Sequence, residues 1–393
     1  MAMFRAMRHP QFRFLWGSVL LVQLGYWFAT IAFQWEVARR TGNDPLALGV
    51  LYFAAFAPYL LFSLPAGALA DSRDRRALLL TAQVCSIALA TTCVVLSRLD
   101  ATPTLAVLGL AFLAGCVITV VSPTNQALTA NSVPAVDLAS AVPLQSMGLN
   151  LARIAGPALA GPVLLFAGST AAFSVYALTC VAATALAWRL VVRPRPIVVP
   201  GEGLRRRVLA GVAHARDRPP ALAALLTVAV TSVFGSAFQS QLPVLGAQVA
   251  GESGFLVLVV AGGVGSLAGV VAVASRARQA TLVSAALQLA VLGAAVGVLG
   301  VVRSFAGMAV LMAVAGGLTF SIMTSINGML QRLVADAHRG RVLSLYFLCW
   351  GGLLPFGGLG LGVLLRVAGA PVAFAVTGAV AVVAGLSIAA RSG

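Results

Sequence analysis

The sequence predicts an all-α membrane protein of about twelve transmembrane helices in two pseudo-symmetric six-helix bundles. Three observations predict this fold: extreme hydropathy, regularly spaced apolar runs and an internal repeat. Of the 393 residues, 60% are hydrophobic and only 9% are charged, whereas soluble domains carry roughly 25% charged residues. A soluble protein of this composition would expose far too much apolar surface, so the bilayer is the expected solvent.

Apolar runs of roughly 20 residues, the length that crosses a bilayer, recur about twelve times. They lie near 12–35, 46–68, 77–97, 103–126, 139–166, 171–191, 221–247, 254–274, 279–301, 304–327, 341–366 and 370–390. The longest link is rich in proline and carries Arg205–Arg207. We therefore expect an N-terminal bundle at 1–192, a cytoplasmic linker with an amphipathic helix at 193–220, and a C-terminal bundle at 221–393.

The basic residues predict the orientation. All 26 of the lysine-plus-arginine positions are arginine. If the N-terminus is cytoplasmic, 20 arginines lie on the inner side, five on the outer side, and Arg153 within a span. Cytoplasmic loops of membrane proteins carry such an excess, so both termini are expected in the cytoplasm. The same distribution explains the net charge of +16 without a nucleic-acid partner.

The repeat relates the two halves at an offset of 201 residues, with the glycines in equivalent spans. The matching pairs are Gly115 and Gly316, Gly156 and Gly357, and Gly161 and Gly362. A same-orientation repeat of six spans implies two bundles that face each other, with a path between them.

A charged stretch, G-A-L-A-D-S-R-D-R-R at Gly67–Arg76, separates the second and third spans. Gly67 would let two helices approach closely, and Asp71 could accept from a helix N-terminus or an arginine, which would hold one conformation shut. Together with Arg75 and Arg76 these residues form a candidate conformational latch. The alternative is a solvated loop that only obeys the positive-inside rule.

The second half carries Gly269 and Arg278 at the corresponding places, but Val273 where Asp71 would be. A charged latch would therefore be one-sided.

The Gly67–Arg76 stretch is similar to the loop 2–3 motif of the major facilitator superfamily, G-x-L-A-D-R-x-G-R-R. It departs at Ser72 and Asp74, where arginine and glycine are usual. Ser122–Pro134 and Arg339–Tyr346 further resemble a bacterial exporter branch that includes macrolide-efflux and siderophore-export proteins. The resemblance covers essentially the whole chain. It implies a multi-pass transporter of the bacterial inner membrane, and says nothing of the cargo.

Asn125 also departs from that branch, which commonly has arginine there, so a role of that arginine does not carry over to this chain.

The fifth span carries N-L-A-R-I-A-G-P-A-L-A-G-P from Asn150 to Pro162, which is similar to the G-P-x-x-x-G motif of exporter-type members. Two glycines permit close packing, and two prolines remove backbone donors and bend a helix. The expected bend is at Gly156, Pro157, Gly161 and Pro162. It would seal or hinge the transport path; the alternative is an ordinary small-residue packing face.

Arg153 lies about 13 residues, or roughly 20 Å, into the fifth span. An arginine this deep costs about 2.5 kcal/mol or more and normally faces the protein interior with a partner. It is either a structural arginine tied to a neighbouring helix, or a site for an anionic group or a charge that changes partners during transport.

Glu36 is the one acidic residue within a predicted span, near its end. An interfacial ion pair with Arg39 or Arg40 would explain it. Alternatively, a partly desolvated carboxylate could exchange a proton between the two membrane faces. Carboxylate-based proton antiport therefore depends on Glu36 or on Asp71.

Polar residues at helical spacing mark one face of the first, fourth, fifth, seventh and tenth spans as turned away from lipid. In the family, spans one, four, seven and ten line the central path, so the resemblance makes their polar residues cavity candidates. Asn150 and Arg153 of span five are candidates because they share one helical face. Hydrogen bonds between helices are the alternative. The cavity candidates are Gln23, Tyr26, Thr30, Asn125, Asn150, Arg153, Ser236, Gln239, Thr324 and Asn327.

An enzyme has almost no support, because the chain lacks a P-loop, a nucleophile elbow, H-E-x-x-H and paired carboxylates. We expect no cofactor and no metal. The leading hypothesis is a monomeric secondary transporter that exports a small amphipathic molecule against proton entry. A lipid flippase or scramblase on the same fold, and a non-transporting membrane scaffold, are the alternatives.

Overall fold

The computed structural model of the chain describes residues 2–99, 102–191, 216, 218–276, 281–334, 342 and 345–392. Every regular element in these ranges is helical. The α-helices are α1 Pro10–Thr41, α2 Pro45–Ser72, α3 Arg75–Ser97, α4 Thr104–Ser132, α5 Leu138–Trp188, α6 Pro219–Val230, α7 Leu242–Arg276, α8 Leu282–Leu299, α9 Phe305–Leu333 and α10 Leu354–Ser392.

Shorter helical pieces complete the described chain. The 3₁₀ turns are Ala2–Arg8, Ala135–Asp137 and Ala237–Gln241, and the π-turns are Thr231–Gly235 and Leu348–Gly352. Almost all of the expected linker at 193–220 lies outside the described residues, as do Arg278 and Arg339.

Ten stretches of the described chain are helical, apolar and long enough to cross a bilayer. Two of them, Ser140–Trp188 and Leu345–Ser392, contain 49 and 48 residues, or about 70 Å of helix each at a rise of about 1.5 Å per residue. That is more than twice the roughly 30 Å of a hydrocarbon core. Since each contains one break, each supplies two passes, and the described chain makes the twelve passes that the apolar runs predict.

Both breaks occur at a glycine with the same unusual backbone. Gly168 has φ 73° and ψ −177°, and Gly369 has φ 75° and ψ 168°. This region of backbone space is essentially restricted to glycine. The two positions are 201 residues apart, so the repeat seen in the sequence also relates the places where the chain reverses.

The helices present apolar side chains outward. Phe166 is 84% exposed, Val367 81% and Leu105 78%. In water these side chains would be costly, whereas lipid tails solvate them and the helices satisfy their own backbone hydrogen bonds. The described structure is therefore that of a multi-pass, all-α membrane protein.

The residues group into two compact units, residues 1–36 with 61–200 and residues 37–60 with 201–393. The first half of α2 thus belongs to the second unit. A Cβ on Gly49 would lie 3.0 Å from the Gly358 carbonyl oxygen, and one on Gly362 would lie 2.5 Å from that of Pro45. Because these contacts join backbone to backbone, α2 and α10 lie close together there. The bundle boundaries at 192 and 221 stay predictions.

The second unit has a further close helix pair, α7 with α9. A Cβ on Gly265 would lie 1.9 Å from the Ala313 carbonyl oxygen, and one on Gly269 would lie 2.2 Å from that of Gly317. Real Cβ atoms do not approach oxygen so closely, so the absent side chains allow the two backbones to touch.

In the first unit, the amino-terminal segment is fixed against the start of α5. The Ala6 N–H donates to Ser140 Oγ at 3.0 Å, and His9 Nε2 lies 2.8 Å from a carboxylate oxygen of Asp137. Phe12 packs in a small core with Leu144.

Candidate functional site

Within the first unit, α1 and α5 meet where glycines of α5 face tryptophans of α1. A Cβ on Gly156 would lie 2.4 Å from the Trp27 Cβ, and one on Gly148 would lie 2.9 Å from Trp16 Nε1. Trp16 Nε1 also donates to the Leu144 carbonyl oxygen at 2.8 Å. The glycines let the two helices approach along this line, as expected for a packing face.

The four residues of the expected bend in the fifth span all lie within α5. Pro157 and Pro162 both lie inside α5, and the residue with non-helical dihedral angles in that helix is Gly168. Gly156 has the packing contact described above, and Gly161 is buried. A hinge role for these four residues remains a prediction.

Arg153 lies one helical turn before Gly156 and extends over the indole of Trp27. Its guanidinium carbon is 5.7 Å from the ring centroid, within the range of a cation–π contact. Tyr26 meets Trp27 edge to face, with centroids 6.0 Å apart and planes at 73°. We call Arg153, Trp27 and Tyr26 the arginine–tryptophan cluster. In this cluster Trp27 contacts two predicted cavity residues, Tyr26 and Arg153.

Two further cavity candidates flank this cluster on α1. The Thr30 hydroxyl donates to the Tyr26 carbonyl oxygen at 2.8 Å, so its donor is used within its own helix. Gln23, one turn before Tyr26, is half-buried.

Glu36 is buried, with 2% of its surface exposed, and is the one acidic side chain among the buried residues that the structure describes. Its carboxylate accepts a hydrogen bond from the hydroxyl of Ser169, the residue that follows the break at Gly168. A buried carboxylate is costly unless it is hydrogen-bonded or protonated. The structure therefore joins the coupling candidate of α1 to the point where the fifth and sixth passes meet.

On α4, Asn125 is 4% exposed, and its Oδ1 has no hydrogen-bond partner within the described part of the chain. A buried amide oxygen without a partner costs about 1–3 kcal/mol and deserves a functional explanation. On α5, Asn150 instead donates to the Ser146 carbonyl oxygen at 2.9 Å.

The cavity candidates of the second unit lie on two passes, the seventh pass (Pro219–Gly251) and α9. Ser236 connects the π-turn Thr231–Gly235 to the 3₁₀ turn Ala237–Gln241; it is buried, and its hydroxyl has no partner among the described residues. Gln239 is half-buried. The seventh pass is thus irregular where its polar residues lie, which is typical of functional positions.

On α9, Thr324 and Asn327 are both half-buried. The Asn327 side-chain oxygen accepts from the amide of Gln331, one turn later, so this amide pair runs along one helix face.

The charged loop of the first unit is held by its arginines. Arg75 Nε donates to the Ala70 carbonyl oxygen at 3.2 Å, and Arg76 donates to the Trp188 carbonyl oxygen at 2.6 Å. The Arg76 guanidinium also lies 6.0 Å from the Trp188 ring. Arginines that bind the last carbonyls of helices are favourable there, so these two fix the ends of α2 and α5.

The other two residues of the predicted latch are Gly67 and Asp71. A Cβ on Gly67 would meet no described atom within 4 Å, and the close helix approach at Gly67 stays a prediction. Its counterpart Gly269 does make such a contact, since a partner helix lies against it. The side chain of Asp71 lies outside the described residues.

Asp74, which departs from the family motif, has a local role that the sequence argument missed. Its carboxylate accepts from the Ala77 N–H at 2.6 Å and caps the first turn of α3. An acidic residue immediately before a helical run is a recognised N-cap pattern, and that pattern could have identified it.

We predict that Asp74→Ala lowers the free energy of unfolding by about 1 kcal/mol, because the first turn of α3 loses its side-chain cap. Asp74→Asn keeps a capping oxygen and serves as the matched control. Thermal unfolding of the detergent-purified variants measures the difference. Equal unfolding temperatures for the two variants would show that the cap contributes nothing.

Sequence reasoning also missed Ser169 as the partner of Glu36. The two are 133 positions apart, and hydropathy contains no information on which residues meet at helix ends. The structure places the first-unit cavity candidates on α1, α4 and α5, and the second-unit candidates on the seventh pass and α9.

Comparisons with known proteins show which family the chain resembles. The staphyloferrin A transporter of Staphylococcus aureus (strain NCTC 8325 / PS 47) is 31% identical over 153 residues, which cover 39% of this chain and 38% of that protein. The alignment thus spans well under half of that relative, and its cargo does not transfer with it.

Solved structures match over nearly the whole chain. A POT family transporter in complex with 5-aminolevulinic acid has a TM-score of 0.74 at 13% identity, covering 98% of this chain and 96% of its own. A bacterial homolog of the human lysosomal transporter Spinster has a TM-score of 0.69 at 13% identity, covering 98% and 95%. At these identities the likeness shows the fold alone.

A family model described as transmembrane secretion effector matches residues 1–392. The match includes both units and all of the helices described above. The chain therefore belongs to the transmembrane secretion effector family and has the fold of major facilitator transporters.

Proposed function

We propose that the protein is a secondary active transporter that exports a small amphipathic molecule in exchange for protons entering the cell. Glu36 carries this proposal. It is a carboxylate 2% exposed within α1, hydrogen-bonded to Ser169 beside the glycine break between two passes. In this proposal the carboxylate carries the exchanged proton, and the exchange alters a contact between two helices.

The same proposal assigns the other predicted roles. The charged loop around Asp71, Arg75 and Arg76 biases one conformation. The polar residues of α1, α4, the seventh pass and α9 contact the cargo. The two six-span halves are 1–192 and 221–393, in a monomer of the bacterial inner membrane with both termini in the cytoplasm. The excess of arginine on the proposed inner side supports that orientation.

The name of the staphyloferrin A transporter suggests the first cargo compounds to test. Since a staphyloferrin A transporter shares 31% identity over part of the chain, we propose that staphyloferrin A and amphipathic dyes of similar size are the first compounds to test. The proposal concerns small organic molecules, because the chain offers polar and aromatic residues on the same helix faces.

Proteoliposomes with an acidic lumen test the proposal directly. Molecules of the transporter whose cytoplasmic face points outward should take up cargo as protons leave the lumen. We expect uptake in these vesicles, its loss when nigericin collapses the pH gradient, and a rise in luminal pH on addition of cargo, reported by pyranine. Uptake that does not respond to the gradient would contradict proton antiport. Movement of labelled lipid without uptake of any cargo would favour a flippase instead.

A further inference from the structure

The starts of α1 and α3 and the end of α5 meet at one end of the first unit. The Val191 N–H, just beyond α5, donates to the Gln11 side-chain oxygen at 2.8 Å. Arg76, at the start of α3, donates to the Trp188 carbonyl oxygen at 2.6 Å. Contacts from two different helices thus fix the end of α5, and Arg189 lies in the chain between the two residues that receive them.

This end of the unit is strongly basic. The two carboxylates that the structure describes here are already used, since Asp74 accepts from the Ala77 N–H and Asp137 lies against His9. The arginines at this end are Arg5, Arg8, Arg13, Arg73, Arg75, Arg76 and Arg189. Clusters of this kind at the ends of transmembrane helices attract anionic lipid headgroups.

Trp188 ends α5 with its side chain on the surface. It is 69% exposed, whereas the other four tryptophans are half-buried. The Arg76 guanidinium carbon lies 6.0 Å from the centre of its ring, so the indole is held beside a positive charge. A tryptophan at the end of a pass is typical of the membrane–water interface, where its ring lies at the level of the lipid headgroups.

Arg189, the next residue, carries its charge at the same level. Its side chain is exposed, and within the described part of the chain no hydrogen bond to its guanidinium is present. The N–H donors of a guanidinium match the oxygens of a phosphate in pairs. Arg13, exposed on α1 two residues after Gln11, adds a further positive charge at this end.

An exposed apolar stripe leads along α5 to Trp188. Leu178 is 68% exposed and Val181 49%, and their helical spacing places both on the side of α5 that carries Trp188. From Leu178 to Trp188 the helix rises about 15 Å, or half of the roughly 30 Å of a hydrocarbon core. Apolar contact one leaflet deep therefore lies directly beside the charges.

The charges and the stripe together indicate the class of ligand. A free phosphate would use the arginines alone. A phospholipid uses both features, because its acyl chains lie along the stripe while its phosphate meets Arg189.

We propose that Trp188 and Arg189 bind the headgroup of an anionic phospholipid. Arg76 is a positioning residue in this scheme, since it holds the backbone and the ring of Trp188. The proposal concerns the surface that faces lipid, and it does not depend on the proposed transport function.

Quenching of tryptophan fluorescence by brominated lipids tests the site in the whole protein. The protein is reconstituted into phosphatidylcholine vesicles that contain a small fraction of phosphatidylglycerol or phosphatidylcholine with chains brominated near the headgroup. The signal that is lost in Trp188→Phe reports on this site. We expect half-quenching of that signal at about fivefold less brominated phosphatidylglycerol than brominated phosphatidylcholine, the gain from about one arginine beside an anionic headgroup. Equal quenching by the two lipids would overturn the proposal.

Variants locate the preference. Arg189→Gln should bring the two lipids to equal quenching. Arg76→Gln should reduce the preference, whereas Arg76→Lys, which keeps a donor for the Trp188 carbonyl, should retain most of it. Arg98→Gln is the matched control, because Arg98 is exposed at the opposite end of α3, and it should keep the full preference. The same loss in Arg98→Gln and Arg189→Gln would show attraction by net charge alone and overturn the site.

Native mass spectrometry of the wild type needs no variant and separates a lipid from a free anion. In detergent with equal amounts of the two unbrominated lipids, the protein should retain phosphatidylglycerol in preference to phosphatidylcholine. Inorganic phosphate at constant ionic strength should not displace it. Displacement by inorganic phosphate would assign the arginines to a soluble anion and overturn the phospholipid, and retention of both lipids in equal amounts would do the same.

Discussion

Glu36→Gln is expected to abolish uptake driven by the pH gradient, down to the level of protein-free vesicles. Glutamine has nearly the same shape and keeps an oxygen that accepts from Ser169, so the contact beside Gly168 can persist. It cannot ionise, and a site that never changes charge cannot couple proton movement to the helix contact. The measurement is cargo uptake into proteoliposomes with an acidic lumen.

The same variant should still exchange labelled for unlabelled cargo, because exchange needs binding and conformational change but no net proton movement. Asp137→Asn is the matched control, since that carboxylate lies outside the spans and bonds to His9. It should keep gradient-driven uptake. Full gradient-driven uptake by Glu36→Gln would remove this residue from the coupling mechanism.

Gly265→Leu is expected to have the largest effect on the folded state. An added Cβ would already lie 1.9 Å from the Ala313 carbonyl oxygen, and the rest of a leucine side chain has to fit between two backbones. Overpacking of this kind costs about 3 kcal/mol or more when the backbone has to move. Because α7 and α9 would separate, we expect a lower unfolding temperature and a smaller monodisperse fraction in size-exclusion chromatography.

Gly360→Leu provides the comparison. Gly360 lies on α10 in the same unit, is exposed, and has no described atom within 4 Å of an added Cβ. A leucine there faces lipid and should leave the unfolding temperature unchanged or slightly higher. If both variants unfold at the same temperature, the contact between α7 and α9 does not limit stability.

The pass count could be predicted because the bilayer imposes it on composition, and the repeat because glycines recur at one offset. Each pass needs a long apolar run, and the breaks at Gly168 and Gly369 fall in the short gaps predicted between 166 and 171 and between 366 and 370. The sequence also marked Glu36 and Arg153 as candidates, since charge inside an apolar run is costly wherever it lies, and their roles stay predictions.

The residues that Glu36 and Arg153 contact could not be predicted in the same way. Nothing in the sequence indicates that Ser169 meets Glu36 or that Arg153 meets Trp27, because such contacts depend on how far each helix is rotated. Gly265 illustrates the same limit: small size permits a close approach, but only a neighbouring helix in the right place, here α9, produces one. Asp74 is the opposite case, since its capping contact is local and its spacing from Ala77 predicts it.

The paired breaks have an evolutionary consequence. At Gly168 and Gly369 an added Cβ would meet no described atom within 4 Å, so backbone conformation rather than space keeps glycine at both places. The residues that follow are free to differ, and they do: Ser169 bonds to a buried carboxylate, whereas Ala370 has no side chain that could donate. Duplication would thus have copied the glycine break into both halves. Later divergence would have placed a hydrogen-bonding residue after the break in the first half only.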